Sequence, residues 1–325
     1  MINPIWKPFP KIEAQLQTVQ TLILEQIRPL PQPLDDLVRQ QVLSGGKMLR
    51  PACLLLFSQL GPDRDSPQIL PAAAAIEILH LATLIHDDVI DDADLRRHVP
   101  TIQRRLGDRN AIYAGDYLMT AYFSLIGQVA QNREQILLNA QGMRKILLGE
   151  LDQLQINRNL DATVKMYLHE VSGKTAQLLE LSAQFGAQLG HAEARLIHHA
   201  RFIGHNLGMA FQIEDDILDY RGQWQVGKPH LEDLKNGVYT IPLIYALQAD
   251  QDQSLHNFLQ EHPDLTSQEC QQVAQWVEDL GGLTAAQELA FKYTQKAQVL
   301  IQDLPQGRIR QELAYLTRKL LKRQQ

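Results

Sequence analysis

The sequence predicts an all-α protein, and three observations carry that expectation. Apolar residues make up 45% of the 325 positions but aromatics only 6%, and Leu, Ala and Gln abound, a composition that favours helix over sheet. Apolar residues recur at three- and four-residue spacing, the period of a helix with one buried face. Clusters of Gly and Pro punctuate these stretches, and no convincing strand, repeat or long linker divides them. Residues 1–325 therefore read as a single domain.

The elements follow in order. Lys11 to Gln26 is a first helix, with Ile12, Leu16, Val19 and Ile23 on one stripe. Pro29, Pro31 and Pro33 end it. Leu34 to Leu43 is a second helix, stopped by Ser44-Gly45-Gly46, and Met48 to Leu60 a third, closed by Gly61-Pro62. An apolar helix starts around Pro67 to Pro71 and, if it reaches Asp92, runs ~30 Å. Ala93 to Pro100 is a connector. Helices then cover Ala111 to Ala130, Arg133 to Leu154, Ala162 to Gly190 and Ala192 to Tyr220. Arg221 to Gly237 is a polar loop, and Thr240 to Leu247, Ser267 to Leu280, Ala285 to Leu304 and Gln311 to Arg323 complete the chain.

Composition excludes several classes. A formal net charge of −6 does not suit a general nucleic-acid binder. Cys53 and Cys270 form neither a disulfide framework nor a metal spacing, which fits a reducing, cytoplasmic location. Met1 to Pro10 lacks a signal-peptide core, and no apolar run reads as long enough to span a bilayer.

Chemistry concentrates at two helix ends. Asp87, Asp88, Asp91 and Asp92 place four carboxylates within six residues. On a helix Asp87 and Asp91 share a face, as do Asp88 and Asp92, and like charges at that spacing repel. Asp215, Asp216 and Asp219 repeat Asp-Asp-x-x-Asp at the end of a second apolar helix. One such cluster equally fits a solvated acidic helix end. Two of them, facing each other, would offer hard oxygen ligands to Mg2+, with substrate phosphate and water completing each octahedron.

Cations accompany the acids. Gly45-Gly46 precedes Lys47 and Arg50, where close backbone approach and a helix start suit an anion; an ordinary helix cap followed by a surface Lys fits as well. Arg96 and Arg97 point in different directions and can serve two anions, or simply offset the nearby acids. Gly227-Lys228 and Asp233-Leu234-Lys235 follow the second cluster. Lys174, beside Thr175 in an apolar helix, needs an anion or a route to water. His80 lies seven residues before Asp87 and is either a core histidine or an anion contact; His86 reads as packing or outer support. Gly204 and Gly208, below Gln212 and Asp215, leave room for a substrate tail or allow close helix packing. No nucleophile set or P-loop is present. Together the groups are equipment for binding a diphosphate through Mg2+ and stabilising it as a leaving group above an apolar slot.

These residues resemble the trans-isoprenyl diphosphate synthases, the polyprenyl synthetase family. The shared segments are Gly45–Pro51, Glu77–His80, His86–Asp91, Leu95–Arg97, Pro100-Thr101, Gly115-Asp116, Gly149-Glu150, Gly173–Thr175, Gly208–Gln212, Asp215–Asp219, Gly227–Pro229 and Thr240–Pro242. The resemblance implies an all-α, isoprenoid-synthase-like bundle of ten or more helices around a central cavity. It implies condensation of isopentenyl diphosphate with an allylic diphosphate such as farnesyl or geranylgeranyl. Position by position, Asp87, Asp91 and Asp215 would ligate Mg2+, supported by Asp88 and Asp219. Arg96, Lys174 and Lys228 would hold the allylic diphosphate; Lys47, Arg50, His80 and Arg97 the isopentenyl diphosphate; Thr175 and Gln212 would face the allylic cation. Three positions depart from the family pattern: His98 replaces a Gly, Glu214 an apolar residue, and Val238 a Lys.

Product length has its own signal. Ala82 and Thr83, five and four before Asp87, are small where short-chain members carry aromatics, so a tail would pass towards Leu79, Ile78 and Ala75 and grow beyond geranylgeranyl. The chain also resembles the large subunit of two-component heptaprenyl synthases around Asp91–Arg97 and Leu304–Arg310. A homodimer, or a heterodimer with a small subunit, is therefore expected, with a product that partitions to membrane. A geranylgeranyl synthase or a non-catalytic subunit are the alternatives; a terpene cyclase would not keep the second Asp motif together with Lys47 and Arg50.

Overall fold

The computed structural model describes residues 2–28, 30–97, 99–221 and 231–321. After a 3-10 turn at Pro4–Trp6 come α1 (Pro10–Gln26), α2 (Leu34–Leu43), α3 (Leu49–Ser58) and α4 (Ile69–Ile90). A small ladder, β1 (Leu95–Arg96) and β2 (Val99–Pro100), precedes α5 (Ile102–Leu106), α6 (Asp108–Val129) and α7 (Arg133–Ile156). α8 (Val164–Val171) runs through a π turn (Ser172–Ala176) into α9 (Gln177–Leu189), followed by α10 (Ala194–Arg221) and α11 (Glu232–Lys235). α12 (Ile241–Ala249), α13 (Ser254–Glu261), α14 (Ser267–Asp279), α15 (Gly282–Gln302) and α16 (Arg308–Leu321) complete the chain. The all-α expectation holds. The β1–β2 ladder, an antiparallel pair with Leu95 opposite Pro100, corrects the reading of that segment as a plain connector, and α13 was not expected at all.

Chain contacts group the residues into two units. The first comprises Met1–Gln141, Leu178–Arg201 and Gly307–Glu312. Its centre is α4, which packs against α1, α3 and α6. Ala72 to Ala75 are fully buried, and their small side chains let neighbouring helices approach. α4 is long and apolar enough to cross a membrane by composition, which corrects the expectation that no run reaches that length. Here it is a core helix, with Ile76, Ile78, Leu79 and Ala82 fully enclosed. α9 lies close against α3: a Cβ at Gly186 would sit 2.3 Å from the Leu54 carbonyl oxygen and one at Gly190 2.1 Å from that of Ser58.

The second unit comprises Gly142–Gln177, Phe202–Gln306 and Leu313–Gln325. Its core joins Tyr167, Val171 and Ala176 with Met209, Ile213 and Ile217 of α10 and with the apolar faces of α12, α14 and α15. Gly208 belongs to this packing. A Cβ there would meet the Ala176 Cα at 2.5 Å, so the glycine serves close contact with the π turn and does not open space for a tail.

Candidate active site

In the first unit the acidic end of α4 is built against its own backbone dipole. The C-terminus of a helix carries partial negative charge, yet Asp87, Asp88, Asp91 and Asp92 all lie there. Asp91 is the C-cap, its N–H donating to the Asp87 carbonyl at 2.8 Å. Asp88 is only 2% exposed, and its Oδ1 accepts from Arg96 Nε at 2.7 Å. Burial raises the Asp88 carboxyl and the bond to Arg96 opposes that rise. The arginine arrives on β1, held by Thr101: its hydroxyl donates to the Ala93 carbonyl at 2.7 Å and its N–H to that of Asp94 at 3.1 Å. One member of the Arg pair is thus committed to the acid cluster. Asp87 and Asp91 keep exposed surface.

Arg97 turns the other way. Its Nη1 donates to the Gly45 carbonyl, and its guanidinium lies where a Cβ of Gly46 would be, 2.7 Å from Nη1. The paired glycines therefore make room for an arginine from a distant loop. Arg50 Nη1 meets His80 Nε2 at 3.0 Å; since Arg only donates, that nitrogen must accept. Burial, then the charges of Arg50, Arg97 and Arg96, hold His80 well below the ordinary imidazole value, so it is neutral. Glu77, Arg97, His80, Gly45 and Gly46 line a cavity of about 30 Å3. The loop is anchored from the N-terminal segment: fully buried Trp6 donates its Nε1–H to the Lys47 carbonyl at 2.6 Å. His86 packs over Gly115, where a Cβ would meet its Nε2 at 2.2 Å, and the same nitrogen lies 3.3 Å from the Ile112 carbonyl oxygen and 3.4 Å from Asp116 Oδ1, so it ties α4 to α6.

The second unit holds the other candidates. The π turn exists where two glycines bring backbones together: a Cβ on Gly149 would sit 2.2 Å from Lys174 N, and one on Gly173 2.8 Å from Gly149 Cα. The turn presents Lys174 and Thr175. Lys174 Nζ lies 2.8 Å from Glu150 Oε2 and 2.8 Å from Gln153 Oε1. Thr175 Oγ1 donates to Gln212 Oε1 at 2.9 Å, and Gln212 Nε2 donates to Asp216 Oδ1 at 2.8 Å. Asp216 also accepts from the Tyr167 hydroxyl at 2.5 Å.

Acid accumulates around this network. Burial pushes the Asp215 and Asp233 carboxyls up to about 6 and those of Asp216 and Glu170 up to about 8. Glu214, the acid in place of an apolar residue, is also raised by burial. Carboxylates so placed favour a divalent cation, because its charge removes both the desolvation cost and the mutual repulsion. Among the described residues no three His, Cys, Asp or Glu side chains already form a cage for an ion. Mg2+ needs none: it binds through one or two carboxylates and keeps sites for water and phosphate. The all-oxygen donor sets at Asp87/Asp91 and Asp215/Asp219 fit that demand.

The profile of the polyprenyl synthetase family matches residues 31–278. The chain belongs to the polyprenyl synthetase family. This polyprenyl synthetase is 33% identical over 282 residues to heptaprenyl diphosphate synthase component 2 of Bacillus subtilis (strain 168), covering 86% of the chain and 80% of that relative. Its fold superposes on a geranylgeranyl pyrophosphate synthase from Lactobacillus brevis ATCC 367 with a TM-score of 0.93 at 43% identity, covering 98% and 99% of the two chains. A polyprenyl synthase from Caulobacter crescentus CB15, solved with calcium and isoprenyl diphosphate, gives a TM-score of 0.88 at 28% identity over 96% of both chains. The polyprenyl synthetase is accordingly a prenyltransferase that makes trans-prenyl diphosphates, a class whose members differ in chain length.

Set against the expected site of such a synthetase, Arg50, His80 and Arg97 come together with the Gly45–Lys47 loop, Asp88 with Arg96, and Thr175 with Gln212. Lys228, with the rest of Gly227–Pro229, and His98 lie outside the described residues. Of the chain-length positions only Thr83 keeps exposed surface, its hydroxyl donating to the His80 carbonyl at 2.9 Å; Leu79 and Ala82 are enclosed. Sequence reasoning gave no role to Trp6 or Tyr167, and named Asp216 and Glu150 only as members of motifs. A buried Trp in an aromatic-poor chain was a usable signal for the first; the others act through contacts between helices that spacing does not reveal.

Proposed function

We propose that the protein is a Mg2+-dependent synthase that condenses isopentenyl diphosphate with an allylic diphosphate, farnesyl or geranylgeranyl, to an all-trans polyprenyl diphosphate longer than geranylgeranyl. The observation that carries this reading is the pair of acidic helix ends, each loaded with carboxylates where the helix dipole already disfavours them. Asp87, Asp91 and Asp215 would hold the metal, with Asp88 and Asp219 in support. Bound Mg2+ would neutralise the charge that develops on the departing diphosphate. Arg96, Lys174 and Lys228 would bind the allylic diphosphate. Arg50, Arg97 and Lys47, with neutral His80 fixing Arg50, would bind isopentenyl diphosphate without a metal. Thr175 and Gln212 would turn oxygen atoms toward the allylic cation, and the released diphosphate would accept the proton lost after carbon–carbon bond formation.

The long product rests on Thr83, a small residue one turn below Asp87 on the same face of α4. The 43% identity to a geranylgeranyl synthase favours the shorter alternative. Product chromatography after incubation with farnesyl diphosphate, excess isopentenyl diphosphate and Mg2+ decides: chains beyond geranylgeranyl support the proposal, and a product that stops at geranylgeranyl refutes the length assignment. Running the chain alone tests whether a small subunit is needed, as the name of the Bacillus relative suggests. For a homodimer, Leu147, Leu148, Leu151 and Leu154 form an exposed apolar stripe on α7 suited to a second copy. A cytoplasmic location is part of the same proposal.

A further inference from the structure

A primary amide has two faces of opposite polarity that differ little in shape. Which face of Gln212 meets a substrate depends on what holds the other. Asp216, on the same helix four residues on, is 2% exposed and lies within 2.8 Å of the Gln212 nitrogen. Its second oxygen accepts from Tyr167, a residue that is itself 2% exposed. With its carboxyl ionised, as a divalent cation held at the neighbouring Asp215 would keep it, Asp216 accepts at both oxygens and offers Gln212 only an acceptor. The Gln212 NH2 must turn toward it, and Oε1 must point the other way, where Thr175 Oγ1 donates to it at 2.9 Å.

We propose that Tyr167 and Asp216 are positioning residues: they lock the Gln212 amide so that its oxygen, the negative end of its dipole, is presented beside Thr175 to the cation formed from the allylic substrate. The inference rests on the proposed function, since it needs a carbocation at that place. It adds two residues that touch neither substrate nor reacting atoms, on α8 and α10, whose work is to fix one polarity. A fixed dipole stabilises developing charge without reorganising at the moment of reaction. A freely turning amide would present its NH2 to the cation part of the time.

The test reverses the polarity of the pair in the full-length protein. In Gln212→Glu, two carboxyl groups face each other at the 2.8 Å contact and must either part or share a proton; either way the fixed amide dipole is lost, and kcat is expected to fall about tenfold or more. In Gln212→Glu/Asp216→Asn, the new NH2 at position 216 donates to the new carboxylate at position 212, the remaining amide oxygen at 216 still accepts from Tyr167, and an oxygen again faces Thr175. We expect the double variant to be several times more active than Gln212→Glu, through kcat, with KM for isopentenyl diphosphate unchanged in both. A double variant no better than the single one overturns the proposal. Circular dichroism confirms folding. If either Gln212 variant fails to fold, Tyr167→Phe decides, because it removes one hydroxyl and keeps the ring: a severalfold loss of kcat at constant KM supports the lock, and unchanged kcat overturns it. Wild-type turnover in the same assay separates the two readings. An inactive wild type removes the proposed function and the lock with it; an active wild type without rescue removes only the lock.

Discussion

Replacing Gly149 by Ala tests how the π turn is held. The added methyl carbon would sit 2.2 Å from Lys174 N and 2.6 Å from Gly173 C. Both are backbone atoms inside a helix, so no rotamer change can relieve the contact. Restoring an ordinary separation of 3.4 Å requires α7 and the π turn to part by about 1.2 Å, the gap between those two distances. Lys174 and Thr175 would move with the turn, and the 2.8 Å contacts from Lys174 to Glu150 and Gln153 would lengthen or break. Overpacking of this kind costs roughly 1–3 kcal/mol, so the melting temperature followed by circular dichroism is expected to fall by several degrees. A displacement of about 1 Å in positioning groups can cost on the order of 100-fold in rate, and kcat/KM for the allylic diphosphate should drop by a similar factor. A Gly149→Ala protein with unchanged melting temperature and unchanged kcat/KM would refute the argument that close backbone approach positions these side chains.

Other outcomes follow from the same geometry. Asp87→Ala and Asp215→Ala should each lose activity by orders of magnitude while helical content stays native; near-normal turnover with Mg2+ in both would sink the metal assignment, and chelation followed by Mg2+ addition should abolish and then restore wild-type activity. Without metal, stability should fall as pH rises from about 7 to about 8 and level off above about 8.5. Burial raises the Glu170 and Asp216 carboxyls to about 8 in the folded chain, against about 4 when unfolded, so up to about 8 the folded state holds the extra protons and stability falls with rising pH, and the slope vanishes once they have left. His80, held low by its surroundings, is neutral in the folded state there and largely so in the unfolded one. Adding Mg2+ with inorganic diphosphate should flatten the dependence; a flat metal-free profile would contradict the placement of these acids. Trp6→Phe removes the N–H that holds the Lys47 carbonyl together with part of a fully buried ring, and steady-state kinetics should show a raised KM for isopentenyl diphosphate alongside a lowered melting temperature. Thr83→Phe should shorten the product, read by chromatography, whereas an unchanged length would move the chain-length determinant elsewhere. Thr83 is a cleaner site than Ala82, whose enclosed side chain would turn any enlargement into overpacking.

The helices were legible because most bury one stripe. Leu34–Leu43 matches its expected bounds, and α1 differs by a single residue. The π turn was not legible: its register depends on Gly149 and Gly173 allowing two backbones to touch, a pairing between residues 24 positions apart. The same reason hid Asp216. Its motif position suggested another acid for metal, while Tyr167, 49 residues upstream, makes it the hub of a hydrogen-bond network. The β1–β2 ladder is too short to show an alternating pattern, and α13 offers only eight residues, two of them buried hydrophobics. Gly208 shows the limit of reading glycine from spacing: empty volume and close contact both call for the absence of a side chain, and only the Ala176 backbone 2.5 Å away decides between them.

The neutral imidazole of His80, set between guanidinium groups, bears on how two substrates with identical headgroups can be sorted. A protonated ring there would repel its arginine neighbours, and a carboxylate would cancel them. An uncharged acceptor orients Arg50 and leaves its positive field intact. On the assignments made above, one diphosphate is taken by bare guanidinium and ammonium groups and the other by metal ions held on carboxylates. The counter-ion that travels with each headgroup, and not the headgroup, then decides which end of the reaction a molecule enters.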